Sequence, residues 1–102
     1  MISFKKVYEV VQKIPKGKVT SYKQIAILVN LPNPRNIGHI LHLNPDPHII
    51  PCHRVVHSDG TLPDGYAFGG KHVQKELLEK EGVEFGAQYR VKNNCFWQTT
   101  SE

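Results

Sequence analysis

Residues 21–44 read "SYKQIAILVNLPNPRNIGHILHLN", and this stretch carries two helix starts. Ser21 is a good N-cap for a helix over "YKQIAILVN", whose Ile25, Leu28 and Val29 recur at helical spacing. "LPNP" breaks that pattern. Asn33 then caps another helix, "PRNIGHILHLN", with Pro34 in the first turn, where a missing N–H costs nothing. Ile37, Ile40, Leu41 and Leu43 give this helix its apolar side, and Arg35, Asn36, His39 and His42 its polar one. Two short helices so joined form a helix-turn-helix pattern. Many small helical domains contain such a pair, so the pattern does not by itself choose between a nucleic-acid reader and a packing unit.

Outward from this pair the chain is simple. "SFKKVYEVVQKIP" predicts a preceding helix, with Ser3 as cap, Phe4, Val7, Val10, Val11 and Ile14 at helical spacing, and Pro15 as the stop. "KGKVT" is a turn leading into a short extended piece. After the breaker "NPDPH", the run "IIPCHRVVHSDGTL" reads as apolar and extended, ending in the turn Ser58-Asp59-Gly60. A glycine-rich loop, "PDGYAFGG", leads to an amphipathic helix, "KHVQKELLEKEG", with Val73, Leu77 and Leu78 inward and Gly82 closing it. The tail "VEFGAQYRVKNNCFWQ" suggests an edge strand anchored by Tyr89, Val91, Phe96 and Trp97. The expected fold is α+β and mostly helical.

At 102 residues the chain makes one domain, near the small end of what buries a sufficient core. No apolar run is long enough to cross a bilayer, and the first residues lack the pattern of a signal peptide. Two cysteines make at most one disulfide; a reduced pair in a cytoplasmic protein is the expectation. The six histidines show no ligand spacing with them, so no metal is implied. Charge is uneven. Residues 1–57 hold eight basic to two acidic residues, and residues 58–102 five to seven. A basic half suits a polyanion, since each cation placed on a phosphate releases counterions, but it also suits an ordinary solvated lysine surface.

Chemistry concentrates in "IPCHRVV", residues 50–56. A thiol is a poor nucleophile until a base or a positive field makes it thiolate. "PCHR" places a histidine and an arginine directly after Cys52, although sequence neighbours rarely point the same way. A water between Cys52 and His53, or a turn at Pro51, suits the pair better than a direct hydrogen bond. A histidine so used needs a carboxylate to fix its tautomer, and Asp59, Glu76, Glu79, Glu81 and Glu84 are all candidates by spacing. Most free cysteines are small buried hydrophobes, which is the competing reading of Cys52 and the favoured one of Cys95.

"IPCHRVV", preceded by "NP" and followed by "SDG", resembles the active-site segment of the O6-alkylguanine-DNA alkyltransferases (methylated-DNA–protein-cysteine methyltransferases). "GKVTSYKQIA", "PRNIGHILHLNP" and "KELLEKEG" resemble the segment before that family's DNA-binding helix, the helix that enters the minor groove, and the closing helix. The resemblance is strongest over residues 16–82, and residues 83–102 form a tail. It implies one winged-helix-like domain over 1–102. It further implies that Cys52 takes the alkyl group from O6 of a damaged guanine, irreversibly. His53 acts through a water to remove the thiol proton, Glu81 orients His53, and Asn44 braces the turn before the active-site strand. Tyr22 helps rotate the nucleotide and donates to the departing guanine, and Arg35 fills the gap in the base stack. Asn36, Gly38 and Arg54 complete the DNA contacts, and Tyr66, Ala67 and Val55 line the pocket for the flipped base. The implied partner is duplex DNA containing O6-alkylguanine, bound by a monomer without cofactor.

The chain departs from the family pattern in four places. It begins at the helix that opens the DNA-binding domain, where the larger enzymes carry a further N-terminal domain. His39 and Ile40 follow Gly38 in place of small residues. The pocket loop "LPDGYAFGG" is one residue longer than common forms, and Ala67 replaces a small polar residue. Finally, the short form and the aromatic-tryptophan tail resemble the alkyltransferase-like proteins, which bind alkylated guanine without repairing it and mark it for excision-repair proteins. Those carry tryptophan or alanine where this chain has Cys52.

Overall fold

The computed structural model describes residues 4–64, 66 and 68–97. The chain runs α1 (Phe4–Gln12), β1 (Thr20–Ser21), α2 (Tyr22–Leu28), α3 (Pro34–His42), a 3-10 turn at Cys52–Arg54, β2 (Val55–Val56) and α4 (Gly70–Lys80). Two further 3-10 turns, Ala87–Tyr89 and Asn93–Cys95, shape the tail. The fold is α+β and mostly helical, as the sequence predicts.

Local chemistry sets the helix ends. Ser21 Oγ accepts from the Gln24 N–H at 3.0 Å, and Asn33 Oδ1 from the Arg35 N–H at 3.0 Å, so α2 and α3 each start on a side-chain cap. Pro34 occupies the first turn of α3. At the far end of α4, Gly82 adopts φ 94°. Its N–H reaches the Glu79 carbonyl and the Val83 N–H the Leu78 carbonyl, both at 3.0 Å, the paired bonds of a Schellman motif. The proposed cap Ser3 lies outside the described residues.

β1 and β2 pair in parallel, Thr20 with Val55 and Ser21 with Val56. This short pairing divides two apolar clusters. Alternation along a strand sends Val55 toward the cluster of Val7, Val11, Ile25, Ile37 and Ile40, and Val56 toward Val19, Leu78, Val91 and Cys95. α2 and α3 thus pack on one side and the tail on the other, with α4 contributing to both through Leu77 and Leu78.

Several expectations are corrected. The segment predicted as extended begins with the 3-10 turn and keeps only Val55–Val56 as strand. The tail forms single bridges, Phe85 to Val91 and Val19 to Phe96, because its two 3-10 turns interrupt any longer ladder. Leu28 and Leu43 are exposed: Leu28 turns off the face on which Ile25 and Val29 meet the cluster, and Leu43 caps α3 after its last turn. Outside these corrections, Cys52 and Cys95 are both free thiols, one in each cluster.

Candidate functional site

The turn that presents Cys52 follows from "IPC". Pro51 holds φ −77° and ψ 69°, an inverse γ-turn, and the Cys52 N–H closes it onto the Ile50 carbonyl at 2.7 Å. Asn44 fixes the same carbonyl from outside. Its Nδ2 donates to Ile50 O at 2.7 Å while its Oδ1 accepts from the Asp46 N–H at 2.8 Å. Both ends of one buried amide therefore span the loop between α3 and the cysteine.

Cys52 is 5 % exposed. Burial pushes its thiol pKa up, and the side-chain hydrogen bonds from Asn44 and Tyr66 only partly oppose that rise. At neutral pH the group is a thiol that needs a base. No base touches the sulfur directly among the hydrogen bonds described; its side-chain partners are amide and phenol.

The base is supplied next door. His53 Nε2 lies 3.1 Å from Glu81 Oε2. A carboxylate beset by donors can only accept, so Nε2 carries the proton and Nδ1 is left as the basic nitrogen. Burial lowers the His53 pKa, against the opposing pull of Glu81, and the ring is neutral at neutral pH. Glu81 itself is raised by burial but lowered more by the hydrogen bonds from Arg54 and His53, so its carboxyl ends below the ordinary range. Among the five carboxylates open by spacing, the fold brings this one to the histidine: Asp59 turns to Thr61 at 2.7 Å and Glu79 to Lys75 at 2.8 Å.

Arg54 corrects an expectation. Read as a DNA contact, it instead donates Nε to Glu81 Oε1 at 2.9 Å, Nη2 to Glu81 Oε2 at 2.7 Å and Nη1 to the Ile14 carbonyl at 2.8 Å. Its side chain is 15 % exposed, and three of its five N–H donors are bonded inside the protein. The Ile14 carbonyl lies just past α1, so this one guanidinium also ties that helix end to the site. Val55 is likewise corrected. It is fully buried in the helical cluster and does not line the cavity described below.

Tyr22, Arg35, Asn36 and Gly38 fall on or between α2 and α3. Arg35 is exposed in the first turn of α3, and Asn36 and Gly38 are half-buried. Ile40 turns into the core, leaving His39 exposed beyond Gly38. A Cβ on Gly38 would meet only Tyr22 Cε1 at 3.9 Å, an ordinary contact, so nothing inside the described residues demands glycine there. Burial first, then the charge Cys52 bears as thiolate, push the Tyr22 hydroxyl up to about 12, which keeps it a donor. Tyr66 is raised for the same reasons, burial leading. Ala67 lies outside the described residues.

A cavity of about 310 Å³ opens beside these groups. Pro47, Pro51, Tyr66, Phe68 and Leu77 form its apolar walls, with His48, His53, Arg54 and Glu81 as its polar side. One residue that sequence reasoning missed is Gln74 on α4. It is fully buried, and its Nε2 donates to the carbonyls of His53 at 2.9 Å and Val55 at 3.2 Å. Its signal was its place four residues before the inward Leu78.

Residues 3–83 match the model of the 6-O-methylguanine DNA methyltransferase DNA-binding domain. The chain is 43% identical over 83 residues to alkyltransferase-like protein 1 of Schizosaccharomyces pombe, covering 79% of this chain and 76% of that one. It is 42% identical over 84 residues to a methylated-DNA–protein-cysteine methyltransferase of Methanothermobacter thermautotrophicus, covering 82% of this chain but 46% of that one. The chain thus spans about half the length of that methyltransferase. Among solved structures, S. pombe Atl1 in complex with damaged DNA containing O6-carboxymethylguanine superposes with a TM-score of 0.80 at 36% identity, over 97% of this chain and 100% of that one. Mycobacterium tuberculosis OGT in complex with DNA gives 0.72 at 36%, over 78% and 48%. With four-fifths of its length matched and its thiol, imidazole and carboxylate gathered in one place, the chain belongs to the 6-O-methylguanine DNA methyltransferase family, through that family's DNA-binding domain.

Proposed function

We propose that this protein binds duplex DNA at O6-alkylguanine and takes the alkyl group irreversibly onto Cys52. The observation that carries the reading is a buried thiol next to a His53–Glu81 pair whose free ring nitrogen is basic and uncharged. α3 enters the minor groove. Arg35 takes the place of the extruded nucleotide, and the bare Gly38 lets a phosphate backbone come close, which accounts for a helical glycine that no internal contact requires. The lesion swings into the cavity between Pro47, Pro51, Tyr66 and Phe68.

The transfer step balances as follows. The Cys52 S–H proton passes through a water to His53 Nδ1, the sulfur attacks the alkyl carbon, the S–C bond forms and the C–O6 bond breaks. Guanine leaves with the bonding pair and takes a proton from solvent, while Tyr22 donates a hydrogen bond that offsets its charge on the way out. The thioether does not revert, so each chain acts once. Equimolar incubation with an O6-methylguanine duplex tests this on the DNA side: nucleoside analysis should recover guanine in place of the lesion, and intact lesion after binding is complete would refute transfer.

A second reading has its own support. The likeness to the S. pombe alkyltransferase-like protein extends over nearly the whole of both chains, and the Cys52 sulfur is not part of the cavity wall. Under that reading the protein holds the flipped base and presents it to excision-repair proteins.

A further inference from the structure

We infer that Gln74 is a positioning residue for His53, completing a two-point clamp that α4 places on one residue. Gln74, Leu78 and Glu81 are spaced i, i+4, i+7, so they share one face of the helix and its cap. Glu81 holds the His53 ring through Nε2 at 3.1 Å. Gln74 holds the His53 main chain through its carbonyl at 2.9 Å, and the Val55 carbonyl two residues on at 3.2 Å. The 3-10 turn is thereby fastened to β2 from the same helix that supplies the carboxylate. Ring and backbone are fixed independently, which leaves the imidazole one orientation and Nδ1 one direction.

The amide is committed. Two facing carbonyls accept only a donor, so the nitrogen must lie where it does and the side chain cannot be flipped. Gln74 Oε1 is buried without a hydrogen-bond partner among the described residues. Burying an acceptor without a partner is costly, so a leucine or methionine at this place would serve packing better. The glutamine makes physical sense for what its nitrogen holds. The inward residues beside it on α4 are apolar: Leu78 is fully buried, and Val73 and Leu77 pack on the helical cluster.

The functional part of this inference rests on the transfer reading, so the test has one arm that does not. In the wild-type protein, long-range proton–nitrogen NMR of His53 should show a single neutral tautomer with Nε2 protonated. Gln74→Met fills the same volume without the donor; releasing the His53 main chain lets the ring move off Glu81, so the variant should give a mixture of tautomers, with the rate of alkyl transfer falling about tenfold or more and affinity for the lesion duplex unchanged. Leu62→Ala, which removes packing from the other cluster, serves as a control of general destabilisation and should leave the tautomer single. If Gln74→Met does not fold, Gln74→Glu keeps the volume, loses the amide donor and carries the same readouts. A single Nε2-protonated tautomer in the folded variant would overturn the clamp, whether or not the wild type transfers. Absence of transfer in the wild type with the tautomer change intact would fail the proposed function and leave the clamp standing.

Discussion

Arg54 and Glu81 meet through two side-by-side hydrogen bonds, Nε to Oε1 at 2.9 Å and Nη2 to Oε2 at 2.7 Å, in a mostly buried pair that also receives the His53 ring. The carboxylate is therefore shared between a structural cation, Arg54, and the neutral imidazole of His53. This arrangement keeps Glu81 ionised, and an ionised Glu81 keeps the proton on Nε2 of His53.

Glu81→Gln separates these duties. It removes the charge facing Arg54 and His53 while nearly conserving shape, and breaking such a buried pair costs about 3 kcal/mol. Melting should show that loss without abolishing the fold. The transfer rate should drop about tenfold to a hundredfold, because the histidine loses its tautomer control. A wild-type transfer rate in folded Glu81→Gln would place the histidine's partner elsewhere.

Arg35 is exposed at the start of α3, whereas Arg54 is mostly buried and bonded to Glu81 and the Ile14 carbonyl. Arg35→Ala should weaken binding to an O6-methylguanine duplex by about tenfold, roughly 1.4 kcal/mol, and more than Lys80→Ala does. Fluorescence anisotropy at fixed salt measures both. Equal losses would reduce Arg35 to one more surface cation.

Stability should fall on both sides of neutrality. The folded His53 pKa lies below its ordinary 6.5, so the unfolded chain binds that proton more readily, and stability present above 6.5 is lost as pH falls toward the folded value. Glu81, held below its ordinary 4.5, adds a further loss in more acid solution. Cys52 is raised above its ordinary 9.0, so its contribution is intact below 9.0 and lost as pH rises through the folded value. Melting temperature against pH should trace this dome, and Cys52→Ala should move the alkaline fall to higher pH. An alkaline limb that Cys52→Ala leaves unmoved would show that the thiol is not the group being strained.

Much of this was legible in the residues, for a physical reason. Ser21, Asn33 and Pro34 act within one helical turn, so local sequence predicts where α2 and α3 begin. The parallel pairing of Thr20 with Val55 joins residues far apart in the chain and leaves no local mark. The same distance explains why spacing leaves five carboxylates open for His53, and why nothing local to Arg54 shows that it pairs with Glu81. Gln74 was hidden by its type. A polar residue on a helix is read as solvated unless something shows the backbone carbonyls waiting for it.

Intact-mass spectrometry with peptide mapping, after incubation with an O6-methylguanine duplex, decides most directly whether the thiol works. The expected result is one added methyl group per chain, located on Cys52, saturating at one equivalent of lesion. Cys52→Ala should gain none while still binding the damaged duplex. An unmodified wild-type protein that nonetheless binds the lesion tightly would contradict transfer and leave a protein that holds the damaged base for others.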